Sequence, residues 1–497
     1  MDSVVVQRHP HPWRVFTATS IGVIAVFVAM SGLTVALPTL TRELNASTAQ
    51  STWIVLGYMV VTTALILVFG RLSDIVGRRP LYLAGLVVFT IATALCIVSP
   101  SAGWLIAARV VQGVGAAAVV TNNTSLLTDM FPPHLLGRAL GWNATVAAVA
   151  QVIGPVIGGA MTAMVGWRGL FVAVLPVALI ATVTSVMVIP RARRRPARRE
   201  RFDVTGAVLS VVMLTTVVLA LTPGLSSPTW LPWAYLAVGA ASTATFVTVQ
   251  MRRTDPLVDL TLFRSRGIAL VLVAAFTIAV ATYAVPLIIS LYEQAADDAS
   301  PFTAGLLVTP VAIGTVLAAS VAGSLVARVA PRTLAASGMA LAAIGLLGMT
   351  LTLSVDDGAL PVTMSFLFVI GTGIGLFMTP STSALMLTVS YERRGIANGL
   401  RSTLQNVGNL LSTAMTLAIV TVGLGAAAQE AAYGGTPGAL SSAELDRFVD
   451  NLRTVGLTLT VVAVVGVGLC LAFPRHRVAT EPLEFPHESL TTIKESA

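Results

Sequence analysis

One carboxylate and three guanidinium groups lie together in a polar stretch of the sequence that separates two long apolar runs. The stretch reads G-R-L-S-D-I-V-G-R-R, from Gly70 to Arg79. Asp74 can accept charge-assisted hydrogen bonds from Arg78 or from the N-terminus of a facing helix. Gly70 and Gly77 permit a close helix approach and a tight turn. The cluster has two interpretations, a charged latch between moving parts and a turn with surface salt bridges worth about 0–1 kcal/mol each.

A second candidate is an arginine inside an apolar run. A charge within a membrane span is costly and usually faces a cavity or a partner, which favours a functional role for Arg109. Gln112 follows one turn later and is placed to hydrogen-bond the guanidinium. The alternative is that Arg109 extends to the outer head groups, as long basic side chains often do.

Amide side chains form a third group, because several interrupt apolar runs in both halves of the chain. Such side chains either line a central pocket or hydrogen-bond neighbouring helices. Asn122 and Asn123 are adjacent and therefore point in different directions, so we expect one of them to face a cavity. The candidate binding residues are Asn122, Asn123, Asn143, Gln151, Gln405, Asn406 and Asn409.

Carboxylates are missing where proton chemistry would need them. None of the 22 acidic residues falls in the core of a predicted span, although a proton-coupled cycle needs a group that loads and releases a proton. Glu293, at the end of a span, is the best candidate, and the alternative is an ordinary acid at the outer rim. The lack of a central acid favours a neutral or anionic substrate over a lipophilic cation.

Other kinds of chemistry are disfavoured. No cluster of His, Cys or acidic residues falls within the spans, so a membrane enzyme is not expected. Cys96 and Cys470 both lie in apolar runs, which indicates neither a disulfide nor a metal site. The sequence has no G-x-x-x-x-G-K-[ST] loop, which disfavours ATP-driven transport. We expect no cofactor.

The composition requires a membrane protein to position these residues. Of the 497 residues, 55% are hydrophobic and 10% are charged, whereas soluble proteins carry about 25% charged residues. This excludes a soluble enzyme, a disordered chain and a disulfide-built secreted module. The net charge of +8 is spread over short clusters between apolar runs, which argues against a nucleic-acid partner.

The apolar runs predict fourteen membrane spans. They are helical, because a backbone in lipid must satisfy its own hydrogen bonds, and they are continuous rather than alternating as in a β-barrel. The predicted spans are 17–38, 52–70, 81–99, 103–126, 139–163, 169–190, 204–222, 232–250, 267–291, 303–326, 332–353, 359–388, 398–426 and 455–473.

Basic residues fix the orientation of these spans. Alternate connectors are rich in arginine, and the last of them contains Arg393, Arg394 and Arg401. By the positive-inside rule these connectors and both termini lie in the cytoplasm. The block 191–201 is either an orienting loop or a site for anionic lipid head groups. We interpret 427–452 as the longest outer loop.

An internal repeat divides the chain. A weaker copy of the polar stretch, G-S-L-V-A-R-V-A-P-R, runs from Gly323 to Arg332, with Ala327 in place of the acid. Both copies follow the second span of a six-span block if spans 7 and 8 are set aside. We therefore predict an N-terminal bundle (1–190), a two-helix insert (191–266), a C-terminal bundle (267–473) and a cytoplasmic tail (474–497). Two similar bundles suit a transporter that rocks around a central site.

At these motifs the sequence resembles the major facilitator superfamily, specifically its fourteen-span drug:proton antiporter branch. The resemblance covers nearly the whole chain. The family's loop signature matches Gly70–Arg79, and the family's span-4 signature, R-x-x-Q-G-x-G, matches Arg109–Gly115. Its span-5 antiporter signature, G-P-x-x-G-G, matches Gly154, Pro155, Gly158 and Gly159.

The span-5 signature has a physical interpretation of its own. Gly154 and Pro155 interrupt the hydrogen-bond ladder of the helix, and Gly158 and Gly159 offer a flat face for close packing. We predict a kinked seam that seals one conformation against ion leak, and the alternative is a purely structural kink.

The chain departs from the branch in span 1. The branch usually carries an acid and a threonine there, at positions that Ala29 and Ser31 occupy in this sequence. Proton coupling is therefore implied more by the resemblance than by the residues themselves. The candidates for it are Arg109, Gln112 and Glu293.

The resemblance implies a secondary active exporter of small, largely apolar compounds, driven by proton antiport. A metabolite importer or facilitator of the same fold and a non-transporting membrane sensor are the alternatives. The expected partners are a small-molecule substrate, protons and membrane lipids, and we expect a monomer. Lys494 is the single lysine among 30 basic residues, a bias consistent with a GC-rich genome, and hence with a bacterial inner membrane.

Overall fold

The computed structural model describes residues 11–190, 203–221, 230–253, 260–296, 299–326, 328–353, 360–389, 394–436 and 439–473. Within these ranges the secondary structure consists of helices and turns, with no strand. The basic block 191–201 and the tail 474–497 lie outside the described residues.

The N-terminal bundle contains seven helices that form six spans. The first span is two helices, α1 and α2, which meet at Gly32. The helices are α1 (Pro12–Ser31), α2 (Leu33–Glu43), α3 (Thr48–Val76), α4 (Arg78–Ile97), α5 (Ala102–Met130), α6 (Pro133–Val165) and α7 (Arg168–Val188).

Two helices, α8 (Val204–Leu221) and α9 (Leu231–Arg252), form the insert and pack against each other. Helix α8 also contacts α3 of the N-terminal bundle. A short 3-10 helix, Leu260–Arg264, leads from the insert into the second bundle.

The C-terminal bundle repeats the break in its first span, because α10 and α11 are separated at Tyr283 and Ala284. Its second span is also divided, into α12 and α13. The helices are α10 (Arg266–Thr282), α11 (Val285–Ala296), α12 (Pro301–Leu307), α13 (Thr309–Leu325), α14 (Pro331–Thr352), α15 (Leu360–Thr388), α16 (Arg394–Val420), α17 (Ala426–Gly434) and α18 (Ser442–Leu471).

Corresponding helix pairs pack closely through glycine in both bundles. A Cβ atom added to Gly115 would lie 2.5 Å from the backbone nitrogen of Phe89, where α5 meets α4. A Cβ atom added to Gly373 would lie 2.5 Å from the backbone nitrogen of Ala342, where α15 meets α14. Small residues let helix backbones approach closely where lipid supplies no hydrophobic drive for association.

The prediction of a helical, polytopic membrane fold is confirmed. Thirteen helical segments of the described chain are long and apolar enough to cross a bilayer. The remaining predicted span corresponds to α16, which has 27 residues but carries Arg401, Gln405 and three asparagines. Its polar stripe, rather than its length, distinguishes it from the others.

The segment 427–452, which was interpreted as the longest outer loop, contains two helical stretches. This segment contains most of α17 and the start of α18, which begins at Ser442 instead of residue 455. A capping box between Ser441 and Glu444 starts α18. In it the side chain of each residue hydrogen-bonds the backbone N–H of the other. A cap satisfies the free backbone groups of the first turn, so the helix can begin well before its apolar part.

Candidate functional site

A cavity lies between the two bundles, and both contribute to its walls. It contains about 1230 Å³ of space not filled by protein atoms, including the part open to solvent. The N-terminal wall comes from α1, α2, α5 and α6, and the C-terminal wall from α10, α11, α13, α15 and α16. Its apolar surface comes from residues that include Val23, Phe27, Val120, Val152, Ile278, Val311, Ile374 and Met378.

Six of the predicted binding residues line this cavity, namely Asn123, Asn143, Gln151, Gln405, Asn406 and Asn409. Asn123 donates from Nδ2 to Oδ1 of Asn143 at 2.6 Å, which joins α5 to α6. Asn122 is not among the lining residues, and its Nδ2 donates to the carbonyl of Ala118 within α5. Of the adjacent pair, Asn123 therefore faces the cavity, whereas Asn122 has a local structural contact.

Arg401 was counted among the connector arginines, although position 401 also falls inside the predicted span 398–426, and the structure places it in the helix. It lies in the second turn of α16, is only 2% exposed and lines the cavity. Its Nε donates to Oδ1 of Asn398 at 3.3 Å, and its Nη1 donates to Oε1 of Gln405 at 3.0 Å. The signal in the sequence was spacing: Asn398, Arg401, Gln405 and Asn409 recur at three- and four-residue intervals, which places them on one helix face.

Arg109 is fully buried, so the alternative in which it reaches the outer head groups is wrong. Its Nη1 donates to Oε1 of Gln112 at 2.6 Å, as the spacing predicted, and to the carbonyl of Ala29 at 3.2 Å. Its Nε donates to the carbonyl of Ile54 at 3.3 Å, and the guanidinium lies 4.1 Å from the ring centre of Tyr58. Arg109 thus ties α5 to α1 and α3 and does not line the cavity.

Gln112 extends this network to a fourth helix. Its Nε2 donates to Oγ1 of Thr93 on α4 at 2.8 Å, and the Gln112 side chain is fully buried. Arg109 and Gln112 therefore connect four helices of the N-terminal bundle. Both the oxygen and the nitrogen of the Gln112 amide are hydrogen-bonded.

The span-5 glycines form a seam with two different partners. A Cβ atom on Gly154 would lie 3.2 Å from the backbone nitrogen of Gly32, and one on Gly158 would overlap the Gly32 carbonyl. On Gly159 it would lie 2.5 Å from the carbonyl oxygen of Pro301 and 2.9 Å from the Cα atom of Gly305. Helix α6, which contains Pro155, therefore packs on the break in span 1 and on α12 of the other bundle.

The charged loop after α3 holds its own bundle together. Gly77 has φ 103°, a left-handed backbone that favours glycine, as the predicted tight turn requires. Arg78 donates to Oδ1 of Asp129 at 2.6 Å and to the carbonyl of Ser125, both on α5. A contact between Arg78 and Asp74 was predicted, but the side chain of Asp74 lies outside what the structure describes.

Arg79 makes a similar contact with the last turn of α7. It donates from Nε to the carbonyl of Ile189 at 2.8 Å and from Nη2 to the carbonyl of Val186. These hydrogen bonds of Arg78 and Arg79 are all made within the N-terminal bundle. Gly70 makes only ordinary contact, because a Cβ atom there would lie 3.5 Å from Thr121.

Glu293 lies on α11 and is buried, with 4% of its surface exposed. An exposed rim acid is therefore not what the structure shows. The cavity walls do not include it.

Opposite the arginine-rich connectors, α17 bridges the two bundles. Arg42 at the end of α2 donates from Nη1 to the carbonyl of Gly435 at 2.9 Å. The hydroxyl groups of Thr52 and Tyr433 lie 3.3 Å apart, and Tyr433 is fully buried. Gln294 on α11 donates to the carbonyl of Val35 at 3.1 Å. This end of the molecule is closed by contacts across the bundle interface.

The chain is similar in sequence to known transport proteins. The family model described as Major Facilitator Superfamily matches residues 19–413. The tetracenomycin C resistance and export protein of Streptomyces glaucescens is 30% identical over 416 residues, 81% of this chain and 75% of that protein. The riboflavin transporter RibZ of Clostridioides difficile is 28% identical over 408 residues, 81% of this chain and 87% of that protein.

A solved structure shares the fold. The inward-facing, unoccupied structure of a bacterial homologue of the human lysosomal transporter Spinster superimposes with a TM-score of 0.63. It is 16% identical, and the match covers 93% of this chain and 96% of that chain.

Proposed function

The chain belongs to the Major Facilitator Superfamily, and from that membership we propose that it exports small, largely apolar compounds across the bacterial cytoplasmic membrane. As a member of this family it is a multi-pass transporter and not an enzyme. The observation that carries the proposal is the cavity lined by both bundles and closed at one end by contacts between them. An export mechanism by alternating access needs such a cavity, reached from one side at a time.

The position of the cavity supports loading from the cytoplasm. Asn123 lies in the last turns of α5, and Asn398 and Arg401 lie in the first two turns of α16. These helix ends adjoin the arginine-rich connectors, which the positive-inside rule assigns to the cytoplasm together with both termini. The seam between Gly159 and Gly305, and the α17 bridge, would separate when the protein opens outward.

Proton antiport is the proposed driving reaction. Arg109 stays charged at any physiological pH, so its role would be to hold α1, α3 and α5 in a geometry that responds to a proton bound elsewhere. Gln112 fixes that guanidinium, and Glu293 is the carboxylate we propose as the proton site. Burial of Glu293 in this conformation fits a group that is exposed to the outer medium only after opening.

Two alternatives remain for the same fold. A relative that is 28% identical over 408 residues is a riboflavin transporter, which moves a metabolite. An importer or facilitator would show uptake rather than export in an oriented assay, and a non-transporting sensor would show neither. The tetracenomycin C resistance and export protein is a relative whose direction of transport agrees with the proposal.

Accumulation of fluorescent and radiolabelled drugs in an efflux-deficient bacterial host tests the proposal. We expect the wild type to lower accumulation, and an uncoupler to abolish the effect. Asp74→Asn, Arg109→Ala and Glu293→Gln should each reduce export. Asp450→Asn removes an exposed acid near the outer end of α18 and is the matched control for Glu293.

The outcomes separate the parts of the proposal. Equal accumulation with and without the protein for every compound would refute export. If Glu293→Gln keeps uncoupler-sensitive export at the level of Asp450→Asn, Glu293 is not the proton site, although export stands.

A further inference from the structure

The cavity contains one permanent positive charge and, along its described walls, no negative one. We propose that Arg401 binds the carboxylate of an amphipathic organic anion, which is the substrate class of this transporter. The inference rests on the proposed function and deepens it. It depends on three features: the hydrogen bonds of Arg401, the residues around it and the cost of a buried charge.

The protein satisfies Arg401 only in part. A guanidinium has five N–H donors in a planar fork, and the described acceptors are the amide oxygens of Asn398 and Gln405. Both acceptors are neutral, and no ion pair to Arg401 occurs among the residues that the structure describes. The remaining donors are therefore available to a ligand in the cavity that Arg401 lines.

The rest of the cavity matches a singly charged amphiphile. Its described walls contain no Asp, Glu, Lys or His, so one guanidinium meets one negative charge. The large aliphatic and aromatic side chains offer surface for an apolar body. The hydroxyl of Tyr283 and Oδ1 of Asn123 are buried without a hydrogen-bond partner in the described structure, and both residues line the cavity.

The burial of the Arg401 charge favours a ligand of opposite charge. A cation moved into a site of low dielectric loses hydration, and that cost is offset only by a charged or well-placed partner. A carboxylate can accept two parallel hydrogen bonds from a guanidinium. A cationic compound would instead meet the same charge at close range, which discriminates against it.

The preference can be measured with three probes that share one scaffold. Anthracene-9-carboxylate, anthracene-9-methanol and 9-(aminomethyl)anthracene are anionic, neutral and cationic at neutral pH. Their binding to the purified full-length protein in nanodiscs is followed by fluorescence, with empty nanodiscs subtracted. We expect the carboxylate to bind at least about tenfold more tightly than the alcohol, as a charge-assisted hydrogen-bonded pair implies. The amine should bind most weakly.

Substitution of the arginine should remove the preference. Arg401→Gln should weaken carboxylate binding about tenfold or more, with less than about threefold effect on the alcohol. Arg401→Lys should restore part of the carboxylate affinity, because the charge returns without the fork. Arg138→Gln removes an exposed arginine on α6, away from the cavity, and should leave all three affinities unchanged.

Two results would overturn the inference. One is a wild-type protein that binds the alcohol as tightly as the carboxylate, a comparison that needs no variant. The other is an Arg401→Gln protein that elutes as a monodisperse species and keeps the full preference.

Failure of the inference and failure of export are distinguishable. Neutral compounds exported from cells, without any carboxylate preference in nanodiscs, would refute the anion site alone. Arg401-dependent carboxylate binding, without movement of any compound in either direction, would refute transport and leave the anion site in place.

Discussion

The two bundles each bury an arginine, and they treat its charge differently. Arg109 is enclosed by the N-terminal bundle, where two backbone carbonyls, Gln112 and the ring of Tyr58 surround it. Arg401 lies in the C-terminal bundle at the wall of the cavity, and its two described acceptors are amide side chains. Neither has a carboxylate partner among the described residues.

The difference separates a structural role of charge from a binding role. The acceptors of Arg109 lie on α1, α3 and α5, so its charge holds three helices in fixed relation. Both acceptors of Arg401 lie on its own helix, α16, so its charge holds no second helix in place. A buried charge that does not connect helices contributes little to the fold and is available to bind a ligand.

The largest effect should come from removal of the enclosed arginine. Arg109→Met leaves the amide oxygen of Gln112 without its donor and removes the contacts of the guanidinium with the carbonyls of Ala29 and Ile54. Each buried acceptor left unpaired costs about 1–3 kcal/mol. We expect the melting temperature in detergent to fall strongly when it is measured by size-exclusion chromatography of heated samples. We also expect export to be lost. A variant as stable as the wild type would show that Arg109 does not hold these helices.

The same substitution in the other bundle should act in the opposite direction on stability. Arg401→Met removes a buried charge that has no described counter-ion, and apolar replacement of buried charge is often neutral or stabilising. We expect a ligand-free melting temperature equal to or above that of the wild type, with carboxylate binding lost. If both methionine variants melt equally early, the two arginines have the same role and the comparison fails.

The sequence predicted most of the fold, because apolar length determines membrane helices almost by itself. Even α16 was predicted as a span, although its polar stripe makes it the least apolar of them. The α17 bridge was missed, since Ala- and Gly-rich sequence outside the membrane has no periodic pattern. The capped start of α18 was missed for a related reason, because its first turns are polar.

The candidate site was predicted less completely, and the missing parts are contacts between distant residues. Arg401 was assigned to a connector because arginine near a span end usually determines orientation, and its helical spacing from Asn398, Gln405 and Asn409 was overlooked. The contact of Arg78 with Asp129 of α5, 51 residues away, was not predicted, because the sequence pointed only to the nearby Asp74. By contrast, the contact of Arg109 with Gln112 was predicted because both lie on one helix face.

The smallest predicted effect concerns the two glutamines that accept from these arginines. Gln112 accepts at 2.6 Å and also donates to Oγ1 of Thr93 on α4. Gln405 accepts at 3.0 Å, and among the described residues its donor contact is with the sulfur of Met378 at 3.4 Å. Sulfur is a weak acceptor, so Gln405 adds little between helices.

Gln112→Leu should therefore lower the free energy of unfolding by about 1–3 kcal/mol, and Gln405→Leu by less than that. Melting of both variants in the same detergent, without ligand, gives the comparison. A larger loss for Gln405→Leu would mean that the amides around Arg401 stabilise the fold. The buried arginine would then be structural in both bundles, and the distinction between an enclosed arginine and one available to bind a ligand would not hold.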